Sequence, residues 1–351
     1  MSAETLSATR QPTVVDSLPK AELHLHLEGS IRPATAVKLA ARHGVAITLD
    51  EVTRRYSYRN FNGFLETFKW VTSFLRAPED YAFITRHLCE ELVRQNVVYA
   101  ELTISAGVML RRMQNLEASL IAIRDVARSV PFSRLRTAFI LDATRQFGPE
   151  PAMEVARCAA KFQRLDVVAF GMGGDELAFP TTNFRAAFDY ARREGLRIVC
   201  HAGEVGGPES VIEAIELLGA ERIGHGIAVM RDSALADSLA IRRIVLENCP
   251  TSNLCTGALS RQTGKPDATL KDHPLPAFIK KGVFVTLSTD DPGLFHTDLL
   301  TEYDKAATLG LSNQELVKLA EQSFNAAFLS PEDKRALLVD FHAAVKAAGL
   351  V

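Results

Sequence analysis

Four segments of this chain carry side chains capable of polar chemistry, each directly after a short apolar run. They are His24-Leu25-His26, His201-Ala202-Gly203-Glu204, His225-Gly226 and Ser288-Thr289-Asp290-Asp291-Pro292. His24 and His26 are two residues apart, so on an extended strand both imidazoles point to one face and can share one ion. His201 and Asp290 complete a set of three nitrogens and one oxygen. Zinc accepts such a set, and an open position would hold a water whose pKa the metal lowers. A lone core histidine is more often simply hydrogen-bonded, and Asp291-Pro292 also reads as the start of a turn. That plainer reading leaves two acids after Val283-Phe284-Val285-Thr286-Leu287 unexplained. Glu204 follows Gly203, which permits a sharp backbone turn, and is placed to give a proton to a ring nitrogen. It could instead be a helix-entry acid, since Gly206-Gly207-Pro208-Glu209-Ser210 follows. His225, between two glycines, reads as a base and electrostatic aid to the attacking water rather than as a packed core histidine.

These groups need a scaffold that brings distant strand ends together. Eight β-branched apolar runs read as strands: Glu22–Leu27, Val97–Ile104, Thr137–Asp142, Val167–Gly171, Arg197–His201, Arg222–His225, Ile244–Glu247 and Val283–Ser288. Helical periodicity separates them, as in Ser210–Leu218 with Val211, Ile212, Ile215 and Leu218 along one side. Strand–helix alternation implies parallel strands with crossover helices, and eight units predict a closed α/β (β/α)8 TIM barrel. Barrel enzymes carry catalytic groups at the C-terminal strand ends, where the four polar segments fall. The longest gap follows the first strand. It contains Asn60–Leu75 with Phe61, Phe64, Phe68, Trp70 and Phe74, read as an extra helix of which part forms an apolar lid that excludes water.

Composition narrows the function classes. The 351 residues, 47 % hydrophobic, can bury a large core, and the formal net charge of −2 comes without a basic stripe, against a nucleic acid polymer as partner. No apolar run approaches a membrane span. Residues 1–16 are polar, lack a signal-peptide core and are read as a flexible leader before one domain over 17–351. Five scattered cysteines suit a reducing cytoplasm better than a disulfide framework.

Taken in order, further segments join the polar ones: Pro19-Lys20-Ala21-Glu22-Leu23-His24-Leu25-His26-Leu27-Glu28-Gly29, Gly174-Asp175-Glu176, Arg222-Ile223-Gly224-His225-Gly226 and Cys249-Pro250-Thr251-Ser252-Asn253. In this order they resemble the adenosine deaminase family of the amidohydrolase superfamily, over nearly the whole chain. The resemblance implies a metal-dependent hydrolase barrel that deaminates a small 6-aminopurine compound. It implies one zinc ion on His24, His26, His201 and Asp290. Glu204 would protonate purine N1, and His225 would deprotonate and orient the metal's water. Asp291 would hold the attacking group and contact N7. The Gly174 amide would bond N3, with His26 and Glu28 also facing substrate. Many relatives in the superfamily bridge two metals with a lysine after the fourth strand. Here Met172-Gly173-Gly174-Asp175-Glu176 has none, which implies one metal. The other zinc-deaminase pattern, His-x-Glu with Pro-Cys-x-x-Cys, is absent.

Two departures bear on substrate. Family members acting on adenosine usually have aspartate where this chain has Glu28, and Ile-Asp-Leu-Ala where it has Phe170-Gly171-Met172-Gly173. Adenine deaminases of the family generally have a Ser-Glu pair in place of Gly174-Asp175-Glu176. Glu28 with an intact Gly-Asp-Glu is most similar to relatives that deaminate 6-amino-6-deoxyfutalosine, a menaquinone precursor, ahead of adenosine; adenine deaminase is the alternative. An ester or phosphate hydrolase of the same barrel would want a second metal. A non-catalytic purine-binding protein or secreted relative would predict a lost ligand or a signal peptide.

Overall fold

The computed structural model describes residues 13–58 and 60–350. Residues 1–12 of the expected leader lie outside the described residues. Residues 13–16 form a turn in which the Thr13 amide donates to Asp16 and Val15 is buried, so this end of the expected leader is packed.

The strands are β1 (Lys20–His26), β2 (Val97–Ile104), β3 (Arg136–Thr144), β4 (Val167–Gly173), β5 (Arg197–Ala202), β6 (Arg222–His225), β7 (Val245–Asn248) and β8 (Phe284–Leu287). They pair in parallel in chain order. Closure comes just beyond β8: the Asp290 amide donates to the His24 carbonyl at 3.0 Å and the His26 amide to the Asp290 carbonyl at 2.8 Å. The expected (β/α)8 barrel is therefore present. The strands are apolar because a parallel barrel covers both of their faces; Ile198, Val199 and Cys200 of β5 are all buried. Among the described residues no helix is long and apolar enough to cross a membrane, and all five cysteines are free.

Four helices fill the gap after β1: α1 (Pro33–Arg42), α2 (Leu49–Arg55), α3 (Phe61–Thr72) and α4 (Pro78–Arg94). Local signals set their starts. Thr48 and Glu51 form a capping box on α2, the Asn60 side chain caps the Gly63 amide of α3, and proline opens α1 and α4. In α3, Phe61, Phe64, Leu65, Phe68 and Thr72 follow helical spacing and line one wall of the central cavity. Trp70 turns away and packs on Arg55 and Phe74. The aromatic insertion thus covers the barrel mouth with one face only.

Inside the barrel a chain of buried charge replaces part of the expected hydrophobic filling. Arg222 of β6 is 1 % exposed, and its guanidinium meets Glu101 of β2 and, with Nε at 2.6 Å, Glu247 of β7. The Phe328 ring lies 3.7 Å from the guanidinium carbon. Breaking a buried pair from one side strands the remaining charge, which costs about 3–5 kcal/mol. Arg222→Met should therefore lower unfolding stability by about that amount in urea titrations, because it leaves two buried glutamates without their cation. A loss below about 1 kcal/mol, the level of a surface pair, would show that the chain is not a structural requirement.

Candidate active site

Each strand end delivers its polar group for a local reason. His24 and His26 alternate with buried Leu23 and Leu25, so both imidazoles face the barrel axis. Gly224, opposite, must lack a side chain: a Cβ there would lie 2.6 Å from the His24 ring. Asp290 and Asp291 are sequence neighbours, yet both line the cavity. The left-handed backbone of Asp290, φ 65°, breaks the strand alternation and allows this. His225 takes φ 62° for the same purpose, with its carbonyl held by the Asn248 side chain at 2.8 Å. Gly29 lies so close to Asp291 that a Cβ would fall 1.6 Å from the carboxylate.

The expected metal ligands converge. His26 Nε2 lies 3.2 Å from His201 Nε2 and 3.3 Å from Asp290 Oδ1, which is also 3.4 Å from His24 Nε2. Ligand atoms of His24, His201 and Asp290 lie within 4.8 Å of one another together with one of His225, a set that takes in His225 and leaves out the expected His26, whose contacts are those to His201 and Asp290. The donor chemistry fits a cation. His24 Nδ1 is bonded to Glu247 at 2.8 Å, while its Nε2 is buried without a hydrogen-bond partner. His201 Nδ1 meets the Met172 carbonyl at 3.2 Å, which places its proton on Nδ1 and leaves the Nε2 lone pair turned to His26. The unpartnered Nε2 of His24 and the Nε2 lone pair of His201 thus open on the same cluster, with Asp290 Oδ1 beside His24, a donor set that suits a positive charge. Backbone or carboxylate contacts on the far nitrogen are the usual orientation device of metal-ligating histidine.

Electrostatics agree. Burial holds His26 down at about 4 and His225 at about 3, and lowers His201 well below its ordinary value, so all three are neutral near pH 7. His24 overcomes its burial through Asp290 and Glu247 and rises to about 10: the cluster draws positive charge to its centre.

His225 differs from the other three. The Leu275 amide donates to His273 Nδ1 at 3.2 Å, so His273 carries its proton on Nε2 and donates to Asn253 Oδ1, also at 3.2 Å. The Asn253 amide nitrogen then donates to His225 Nδ1 at 3.1 Å. The direction is set from the backbone, and it leaves His225 with Nε2–H facing the centre, 3.6 Å from Glu204 and 3.8 Å from Asp290. This is a donor's posture. His225, flanked by two glycines, is nonetheless fully buried, with Asn253 against it.

Glu204 is 6 % exposed, accepts a hydrogen bond from Thr256 at 3.3 Å, and has its carboxyl pushed up to about 8 by burial and by Asp290. Asp291 is raised well above the usual carboxylate range by burial and by Asp290. Gly174, φ 93°, lines the cavity against Gln146. Glu28 is placed differently from the expectation. Strand β1 ends at His26 and residues 28–30 form a turn, so alternation does not carry Glu28 onto the cavity wall. It is buried, with Oε1 accepting from the Ser105 amide at 3.0 Å and Oε2 without a hydrogen-bond partner; Ser105 lines the cavity in its place.

The match to known proteins follows this geometry. Residues 19–344 fit the family model described as adenosine deaminase. The chain belongs to the adenosine deaminase family. It is accordingly a deaminase, a hydrolase acting on C–N bonds. An aminodeoxyfutalosine deaminase of Streptomyces avermitilis is 40 % identical over 91 % of this chain and 89 % of its own. An adenine deaminase of Rhizobium leguminosarum is 36 % identical over 92 % and 98 %. Among solved structures, adenine deaminase from Arthrobacter aurescens superposes with TM-score 0.86 at 28 % identity, covering 94 % of this chain and 99 % of that one.

Family membership directs attention to residues that motif reading left without a role. Glu176, third of the Gly-Asp-Glu segment, accepts the amides of Gly203, Glu204, Val205 and Gly206 and the Ser210 hydroxyl. It folds the loop that carries Glu204, and Gln262 holds the same loop by the Glu204 and Gly206 carbonyls. Asp142, two residues before the end of β3, lines the cavity with its carboxyl raised to about 8 by burial; a single aspartate after Ile140-Leu141 offers no spacing signal. Glu176→Gln would turn an amide donor toward amide donors. It should lower kcat about 10- to 100-fold with metal content retained, the scale of a small displacement of a catalytic group. Elemental analysis beside steady-state kinetics checks this: parallel loss of metal would mean that Glu176 supports the ligands instead.

Proposed function

We propose that this chain hydrolyses the 6-amino group of a purine nucleoside bearing a 5′ substituent, with 6-amino-6-deoxyfutalosine as first substrate, giving the 6-oxo compound and ammonia. One observation carries the reading: a buried carboxyl that stays protonated near pH 7, Glu204, opens with the His/Asp cluster into the same cavity of about 480 Å³. That volume lies in the range of small-molecule ligand sites. The aminodeoxyfutalosine deaminase relative, 40 % identical, supports the substrate. Free adenine is the second reading, favoured by the 36 % identical adenine deaminase; the intact Gly174-Asp175-Glu176 weighs against it. As a step on a menaquinone precursor, the reaction would belong to the cytoplasm.

His24, His26, His201 and Asp290 would hold one zinc ion. When bound, zinc supplies a nucleophilic water at neutral pH by lowering its pKa. The chain's own groups do the rest. Glu204 gives its proton to N1, which offsets the aromaticity lost on addition at C6 and the charge that builds on the ring. His225, through Nε2–H, steadies the attacking oxygen. Accepting a proton there instead would require the Asn253 amide to turn over. Asp291, protonated, can donate to N7, and the Gly174 amide to N3. Glu28 acts from behind Ser105 on the sugar side of the site.

Elemental analysis after dialysis should give about one zinc per chain, since zinc sites of this type use four protein or water ligands about one ion. Two would overturn the single-ion assignment, and His201→Ala should lose metal and turnover together. Glu204→Gln keeps shape but cannot protonate N1; kcat should fall about 100- to 10,000-fold with zinc retained. In the wild type, the acid form is lost as pH rises through about 8, so kcat should decline on that alkaline side. A kcat that stays flat through pH 9, or a Glu204→Gln variant near wild-type kcat, would move N1 protonation to another group.

A further inference from the structure

The cavity takes its acids and its cations from different elements. Its four acids, Asp142, Glu204, Asp290 and Asp291, sit on strand ends or just beyond them, with the histidines. Its cations come from helices instead: Lys69 in the last turn of α3, and Arg111 and Arg112 at the end of helix α5 (Ala106–Arg111). Among the described residues, none of these three cations forms an ion pair with a carboxylate. Arg112 spends its guanidinium on the Thr72 carbonyl at 2.6 Å and the Thr72 hydroxyl at 3.1 Å, which ties α3 to α5. Arg111 has its guanidinium carbon 4.6 Å from the centre of the Phe147 ring, both residues lining the cavity, and a guanidinium seated over a ring keeps its N–H groups free for an oxyanion. The rings of Phe61, Phe64 and Phe68 line the same cavity from α3, those of Phe64 and Phe68 with centres 6.0 Å apart.

Resting on the nucleoside reading above, we propose that Arg111 and Lys69, on a platform fixed by Arg112, bind an anionic group at the far end of the substrate, a carboxylate or a phosphate. Unpaired cations over an apolar wall cost little while hydrated and gain a charge-assisted, bidentate contact when an oxyanion arrives. A neutral nucleoside would leave these cations unused. The three phenylalanines favour an aryl group between sugar and anion, which an aryl carboxylate supplies and a phosphate directly on C5′ does not. Arg111 is thus a specificity-determining residue, acting on KM for the anionic substrate.

The test compares three substrates on the zinc-loaded enzyme: 6-amino-6-deoxyfutalosine (aryl carboxylate), AMP (phosphate) and adenosine (neutral). For Arg111→Ala, and for Arg111→Glu, the ratio of kcat/KM on the anionic substrates to that on adenosine should fall about 10- to 100-fold, chiefly through KM, as expected when one charged hydrogen-bond partner is lost. Loss confined to aminodeoxyfutalosine identifies the aryl carboxylate as the group held; loss with AMP as well shows a general oxyanion site. An unchanged ratio, or adenosine falling in step with the others, overturns the proposal while leaving the deaminase assignment intact. Wild-type enzyme that turns over none of the three overturns the proposal together with the nucleoside reading on which it rests.

Discussion

The hydrogen bond from His24 to Glu247 is the joint on which this molecule turns. On one side of it, Glu247 belongs to the buried chain that runs through Arg222 to Glu101 and holds strands β2, β6 and β7 in charge balance. On the other side, the same bond fixes the His24 ring so that Nε2 faces the ligand cluster. Ionised carboxylates within a barrel are costly unless a cation answers them. Arg222 answers two, and His24 takes up the remainder. Structural charge and site charge are therefore one system: what stabilises the barrel interior also makes its open end receptive to a metal ion.

Closure of the barrel and assembly of the site are likewise one event. The backbone of Asp290 completes the ring by bonding to β1 on both sides of Leu25, and its carboxylate consequently lies between His24 and His26. The left-handed conformations at Asp290 and His225 cost energy that isolated loops would not sustain. Here each is held by bonds to a neighbouring strand or its side chain. Glu176 does the same for the loop after β5, satisfying four amides that would otherwise lack partners near the cavity.

The sequence displayed the barrel and the polar strand ends well because both depend on short-range patterns. Apolar runs located all eight strands within a few residues, and His-x-His on a strand needs only two-residue alternation to be read as a pair. Three things did not follow from such patterns. Glu247 and Arg222 look like ordinary polar residues in strands, and only the closed barrel reveals that they meet. The alternation that placed His24 and His26 correctly does not extend to Glu28, because the strand gives way to a turn after His26. The state of His225 rests on His273 and Asn253, which come from separate segments and whose order of donation begins at a backbone amide. Long-range hydrogen-bond direction has no signature in spacing.

That order of donation also separates two tasks that residue type alone would merge. Four histidines share the cluster, and each could serve as ligand or as proton carrier. Those whose Nδ1 is bonded to an acceptor, His24 on Glu247 and His201 on a carbonyl, turn Nε2 inward, where a cation takes the place of any proton it carries. The one whose Nδ1 is bonded to a donor, His225 on the Asn253 amide, presents a proton. The partner on the outer nitrogen thus decides whether the inner nitrogen takes a cation or offers a hydrogen bond, at no change in residue type. With the histidines sorted in this way, Glu204 remains as the one buried acid beside His225 that still carries a proton near pH 7 and has no strong donor holding it ionised. Its place beyond Gly203, on a loop gripped by Glu176, keeps that proton directed into the cavity.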